Sequence, residues 1–165
     1  FSLVTIHRPS NVDNKAALEK NIELLFNLSE KYPVVFPIHP RTKSKLDNFK
    51  LHEKLNSNKN IILTEPLDYF AFQKLIATCK FIVTDSGGIQ EEATFRKKPC
   101  ITIRPNTERP STIQLGSNTL VDADINAINQ LITQIETHNY KEGSIPPFWD
   151  GRATARIFEI LNKLR

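Results

Sequence analysis

The run Thr84-Asp85-Ser86-Gly87-Gly88-Ile89-Gln90-Glu91-Glu92-Ala93 holds the residues of this chain best suited to grip an anion. Lys80-Phe81-Ile82-Val83 before it is β-rich, and Ile89 to Phe95 after it carries helix-forming Gln, Glu and Ala, so two glycines fall where a strand turns into a helix. Neither Asp85 nor Ser86 is followed three residues on by Glu or Gln, so no capping box closes the helix start. The first N–H groups of such a helix lack intrahelical acceptors, the helix dipole adds partial positive charge, and glycine lets a ligand approach the backbone. Phosphate binding at Ser86, Gly87 and Gly88 is the chemistry expected; a glycine-lined turn without a ligand is the plain alternative.

Other polar residues are placed to join it. His7 and Arg8 follow the apolar run Phe1 to Ile6, and His39 follows Val34 to Ile38. If those runs are parallel strands, all three residues share the carboxyl edge of a sheet with the glycine turn, and His7 can face it. Glu91 and Glu92 are adjacent on the helix, about 100° apart, so they cannot form a facing carboxylate pair; one of them can reach the cleft and accept from the hydroxyls of a ribose diol. Phe72 reads by default as core packing.

The elements that must position these residues alternate throughout the chain, which is the sign of βαβ units and a doubly wound parallel sheet of α/β class. Six strands are expected, at Phe1 to Ile6, Val34 to Ile38, Asn60 to Leu63, Phe81 to Thr84, Cys100 to Ile103 and Thr119 to Val121, with the first and fourth as neighbours. Leu18, Ile22, Leu25 and Leu28 mark the first helix, with Asn11 or Asp13 as its cap and Pro33 as its end. Further helices are expected from about Leu67 to Cys79, Ile89 to Phe95, Pro110 to Leu115, Ile125 to Thr137 and Gly151 to Leu164, the last completing the core.

With 165 residues, 39% hydrophobic and 24% charged, the chain has the composition of one globular domain. Its net charge of +4 is scattered, without the aromatic and basic interleaving of a nucleic-acid surface, and no run is apolar enough to cross a bilayer, so neither nucleic acid nor membrane is an expected partner. Cys79 and Cys100 lie in apolar segments without metal-ligand spacing and read as buried thiols of a reducing cytoplasm. There is no methionine, even at position 1, so the chain is expected to be a fragment of a longer parent.

Taken in order, Thr5-Ile6-His7-Arg8 with Asn11, Glu65-Pro66-Leu67-Asp68-Tyr69 with Phe72, the Thr84 to Ala93 run, Thr107-Glu108-Arg109-Pro110, Gly116-Ser117-Asn118 and Trp149-Asp150-Gly151 resemble the UDP-N-acetylglucosamine 2-epimerases. The resemblance implies a GT-B architecture of two Rossmann-like halves, with residues 1–165 as the single C-terminal, UDP-binding domain and the N-terminal domain absent. It implies that Ser86, Gly87 and Gly88 hold the diphosphate, Glu92 the ribose, and Phe72 the uracil, while Arg109 lines the site and His7 is catalytic beside the leaving diphosphate. It also makes Arg8 and His39 candidates for a second, activating site. The implied reaction interconverts UDP-N-acetylglucosamine and UDP-N-acetylmannosamine by elimination and re-addition of UDP, in the service of cell-surface polysaccharide biosynthesis, with no cofactor and no metal. A UDP-sugar, the absent domain and a second copy in a homodimer of the parent are the expected partners, and the fragment alone is expected to be inactive. The alternatives are an epimerase of another UDP-2-acetamido sugar, a hydrolysing epimerase, a GT-B glycosyltransferase donor domain and a nucleotide-binding module without chemistry.

Overall fold

Short runs of β-branched and aromatic residues become strands here because helices bury both their faces. A computed structural model, which describes residues 1–164, gives β1 (Ser2–Thr5), β2 (Val34–Pro37), β3 (Ile61–Thr64), β4 (Phe81–Thr84), β5 (Cys100–Ile103) and β6 (Asn118–Val121). All pair in parallel in the order β3-β2-β1-β4-β5-β6. β4 and β5 are buried at every position, as strands covered on both faces must be. The winding reverses between β1 and β4, where Thr5 lies opposite Thr84 and their hydroxyls hydrogen-bond at 2.7 Å, directly below the carboxyl edge.

Pleating sends alternate residues to two cores. Val4, Phe81, Val83, Ile101 and Ile103 join the larger one with α2 (Lys15–Lys31), α3 (Pro40–Asn48), α4 (His52–Asn56) and α8 (Ile125–Glu136). Leu3, Ile82 and Cys100 join the other with α5 (Tyr69–Thr78) and α6 (Gly87–Phe95). A one-turn helix, α1 (Pro9–Val12), follows β1, and α7 (Pro110–Gln114) and α9 (Ala153–Lys163) complete the helices. The sheet is therefore doubly wound and Rossmann-like, with β1 and β4 adjacent as expected.

Several local expectations change. Leu18, Ile22, Leu25 and Leu28 are buried, but Asn14 caps α2 by accepting from the N–H groups of Ala16 and Ala17. Neither Asn11 nor Asp13 caps it, because Pro9 starts the separate helix α1: Asn11 is drawn inside, and Asp13 pairs with Arg41 and Lys45. α3 and α4 were not expected. Pro40 at the first helical position starts α3, while only Thr42 and Leu46 of that polar segment are buried, leaving almost no apolar period to read. Both cysteines are free and buried, and burial pushes their thiols up to about 11 for Cys79 and about 12 for Cys100.

The last helix overturns its reading. No residue of α9 is buried, and Ile157, Phe158, Ile160 and Leu161 are more than half exposed, so the apolar pattern that signals a core helix faces away from this core. The polar contacts found for α9 are local, from Arg152 and Arg156 to Asp150. A chain ending at Asp150 should therefore melt within about 2–4 °C of the whole chain, the shift that 1 kcal/mol produces in a domain of this size. Differential scanning calorimetry of the two chains checks this; a larger drop would mean that α9 packs on the domain in solution.

Candidate functional site

β1 and β4 end side by side, and the chain leaving each must turn away without stranding its polar groups. Asp85, the first residue beyond β4, is completely buried and ties the two exits together. Its Oδ2 accepts from the Arg8 N–H at 2.7 Å, the His7 N–H at 2.9 Å and Asn11 Nδ2 at 2.9 Å, while Oδ1 lies 3.1 Å from His7 Nδ1. Burial pushes this carboxyl toward neutrality, but the hydrogen bonds from His7, Asn11 and Arg8 outweigh it and hold it below the ordinary range. The same loop is pinned elsewhere: Asn21 Nδ2 donates to the Asn11 carbonyl, and the Thr42 hydroxyl donates to the Ile6 carbonyl at 2.6 Å.

His7 is thereby held at the rim of a cleft of about 200 Å³ at the carboxyl edge, lined also by His39, Phe72, Ser86, Leu67 and Ile89. Four of the residues singled out in the sequence thus meet here, from four different βα connections. The His7 and His39 rings stack with centroids 4.9 Å apart and planes inclined by 29°. His39 also caps α3, its Nδ1 accepting from the Arg41 N–H at 3.1 Å. Burial, assisted by the neighbouring His7, lowers the pKa of His39.

Ser86 is the N-cap of α6 and its side chain makes no capping bond, so the first N–H groups of the helix are left without that acceptor. The glycines that follow are the first two helical residues and not the turn itself; neither has a positive φ. A Cβ on Gly88 would find no atom within 4 Å among the described residues, and one on Gly87 would meet Glu108 Oε1 at an ordinary 3.5 Å. Glu108 is held by Arg104 at 2.7 Å and Arg8 at 3.1 Å, and hydrogen bonding from Arg104 brings its pKa down to about 2. Arg8 Nε and Arg104 Nη1 are buried and lack a hydrogen-bond partner among the described residues.

Glu91 and Glu92 diverge as helix geometry required, although both border a second hollow of about 330 Å³ with Tyr69, Gln73, Phe95 and Trp149. Arg109 Nε stands 3.0 Å from Glu91 Oε1, close enough for an ion pair but without hydrogen-bond alignment. Glu92 accepts from Gln73 Nε2 at 2.7 Å, and burial raises its pKa. The loop that carries Arg109 is anchored by Gln90, whose Oε1 accepts from Thr107 at 2.7 Å and from Asn118 at 3.1 Å. Of the expected site residues, His7, His39, Phe72 and Ser86 share the first cleft. Arg8 and Gly87 lie together beside Glu108, Gly88 is open, Glu92 stands further along α6, and Arg109 reaches Glu91 of that helix from the loop before α7.

Asp85, Gln73, Gln90 and Arg104 carry this arrangement and were not singled out from the sequence. Asp85 had one signal, its place at a strand end within the glycine run. Among the described residues, no group of three or more His, Cys, Asp or Glu is arranged to hold a metal ion.

A sequence-family model described as UDP-N-acetylglucosamine 2-epimerase matches residues 1–162. The UDP-N-acetylglucosamine 2-epimerase of Methanocaldococcus jannaschii is 44% identical over 164 residues, which cover 98% of this chain and 44% of that protein. The crystal structure of the same organism's enzyme in complex with UDP-GlcNAc and UDP superposes with a TM-score of 0.83 at 42% identity, covering 99% of this chain and 45% of that one. The Neisseria meningitidis enzyme bound to UDP-GlcNAc gives 0.81 at 32% identity, with 98% and 44% covered. The chain thus spans a little under half the length of the relatives it matches.

The buried carboxylate makes acid stability a test of this geometry. Because the folded pKa of Asp85 lies below its ordinary value of 3.8, its contribution is complete above that pH and is lost as pH falls through the folded value. Melting temperatures measured downward from neutral pH should fall more steeply below pH 3.8 in the unmodified chain than in Asp85→Asn, each referred to its own neutral value. Parallel curves would place the acid-sensitive carboxylate elsewhere.

Proposed function

The chain is a member of the UDP-N-acetylglucosamine 2-epimerase family, and from that premise we propose that it binds the UDP moiety of a UDP-sugar at the start of α6. In the complete protein this half would serve the interconversion of UDP-N-acetylglucosamine and UDP-N-acetylmannosamine. One observation carries the binding reading: Gly87 and Gly88 occupy positions where the fold has room for a side chain and no need of a left-handed backbone. Fold requirements do not explain two adjacent glycines at a helix start, where each loses more backbone freedom on folding than alanine would. Close approach of a diphosphate to the N–H groups does. The guanidinium groups of Arg8 and Arg104, gathered on Glu108 beside Gly87, favour an incoming anion as well.

Each remaining group has a role in this reading. His7 meets the departing diphosphate, Phe72 offers an apolar wall to the base, Glu92 accepts from the ribose hydroxyls, and Arg109 adds positive charge along the helix. Glu92 suits its role because partial burial has removed some of its water and, among the described residues, only Gln73 donates to it, so two hydroxyl donors would stabilise its ionised form.

In the elimination, a base takes the C2 proton, the C2–H electron pair becomes the C1–C2 π bond, and the C1–O bond breaks with its electrons passing to the diphosphate. Re-addition reverses these changes after the proton is delivered to the opposite face. Charge grows on the diphosphate as C1–O breaks, so donors fixed around it stabilise the transition state more than the bound substrate. The groups that move the C2 proton belong, in this proposal, to the N-terminal half of a GT-B parent that this chain does not span. The exposed apolar face of α9 supports packing against that half, with a second copy as the competing occupant. Two buried free thiols support a reducing cytoplasm as the compartment.

The reaction is tested by incubating the full-length protein with UDP-N-acetylglucosamine in deuterium oxide. Deuterium at C2 in both epimers is expected; release of free N-acetylmannosamine with UDP would establish a hydrolysing enzyme, and no exchange would overturn the proposal. The chain alone should bind UDP without turnover.

Binding is tested by substitution. Gly88→Val should keep the melting temperature, since the site has room, yet weaken UDP binding by at least about tenfold by blocking the backbone, a loss of about 1.4 kcal/mol. Unchanged affinity in calorimetry would put the anion elsewhere. Glu92→Ala should cost about one to two decades in affinity, as loss of a charge-assisted hydrogen bond of about 1.5–3 kcal/mol requires. Glu91→Ala removes only an exposed pairing with Arg109 and should change affinity by less than about fivefold; equal losses would refute the ribose assignment.

A further inference from the structure

His7 and His39 are stacked in one cleft, yet their surroundings impose opposite hydrogen positions. His7 Nδ1 lies 3.1 Å from Asp85 Oδ1, whose carboxylate is ionised and has no hydrogen to give, so this nitrogen must carry the proton. A neutral His7 ring then has Nε2 bare. His39 Nδ1 accepts the Arg41 N–H at 3.1 Å, so it must keep its lone pair, and the neutral ring carries its hydrogen on Nε2. One ring leaves a proton-accepting nitrogen free and its neighbour leaves a fixed donor.

Nothing in either side chain alone selects these forms. Asp85 does so for His7, and its own position is set by backbone N–H groups of His7 and Arg8 and by Asn11, so the carboxylate cannot turn away without leaving a buried charge short of donors. For His39 the selection comes from the start of α3, where the Arg41 N–H would otherwise lack an acceptor.

We propose that Asp85 is the positioning residue of His7: by holding Nδ1–H it reserves Nε2 for the diphosphate, while His39, locked in the opposite tautomer by Arg41, supplies a neutral Nε2–H donor to the same ligand. This rests on the proposed binding of a UDP-sugar and assigns two further residues to that site. A neutral His39 also suits the stack, because two imidazolium rings 4.9 Å apart would repel, and partial desolvation together with the neighbouring His7 lowers its pKa in that direction. His7 is thus free to gain a proton on Nε2 and pass a hydrogen bond, or the proton, to the phosphate oxygen left by C1. Asp85 touches neither substrate nor reacting atoms and acts only through His7.

The test reads the rings directly. With ¹⁵N-labelled histidine in this chain, at a pH where the imidazoles are neutral, long-range ¹H–¹⁵N spectra should show His7 protonated at Nδ1 and His39 at Nε2, the four histidines being assigned from single His→Gln variants. In Asp85→Asn the amide NH₂ would donate to His7 Nδ1 and move the ring proton to Nε2. Correspondingly, in the full-length protein this variant should lower kcat by about 100-fold or more with KM within a few-fold, and should cost little further when His7 is already alanine. An Nε2–H tautomer for His7 in the unmodified chain overturns the proposal even if Asp85→Asn fails to fold. An unchanged tautomer in folded Asp85→Asn, or an effect additive with His7→Ala, overturns it too. If the unmodified full-length protein does not turn over UDP-N-acetylglucosamine, the reaction is wrong while the tautomer result still decides the role of Asp85.

Discussion

A single buried carboxylate fixes the carboxyl edge of this sheet. Asp85 has no exposed surface, and an isolated ion there would cost several kcal/mol or more in lost hydration. Its donors repay that cost only because they come from β1's exit, residues 7, 8 and 11, whereas Asp85 itself belongs to β4's exit. The interaction therefore joins the two loops at the point where the winding of the sheet reverses. Strand pairing brings Thr5 and Thr84 together; Asp85 then decides how both chains leave. His7, Arg8 and Ser86 take their places as a consequence, so the residues that would meet a ligand are organised before one arrives.

Around that anchor the charges are arranged to be exchanged. Glu108 sits beside the α6 N-terminus, where a Cβ on Gly87 would touch it, and is shared between Arg8 and Arg104. Both ion pairs are partly exposed and worth little by themselves, so the arginines are held near the helix start without being committed to Glu108. Arg109 and Glu91 repeat the pattern one turn later. A diphosphate arriving at the glycines can compete for these guanidinium groups at small cost, which a deeply buried ion pair would not allow.

Much of this architecture was legible in the sequence, for identifiable reasons. β4 and β5 fall where Phe81 to Thr84 and Cys100 to Ile103 read as strands, since fully buried parallel strands are near-continuous apolar runs, here broken only by Thr84 and Thr102. The neighbourhood of β1 and β4 belongs to the Rossmann order of doubly wound sheets, and with it comes the meeting of His7 and Ser86. Asp85 escaped because its partners are two backbone N–H groups and an amide more than seventy residues away, which leave no mark in residue type or spacing. α3 and α4 escaped because they are short and mostly polar. α9 misled in the opposite sense: an amphipathic period reports an apolar face but not what it faces, and here this domain does not cover it.

Gln90, Glu91 and Glu92 show why α6 can serve as a rigid cradle. Successive helical residues point about 100° apart, so three in a row sweep most of the helix circumference. Gln90 turns inward to Thr107 and Asn118, Glu91 toward Arg109, and Glu92 toward Gln73 of α5, which is itself held by Arg96. Rotating α6 about its axis would break contacts on three sides at once, including hydrogen bonds of fully buried groups that have no water to fall back on. With Ala93 packed into the smaller core and Asp85 fixing the approach from β4, the helix is constrained in rotation and at its start. Its first N–H groups are consequently aimed by the fold and not by the ligand, and Gly87 and Gly88 leave that fixed surface uncovered.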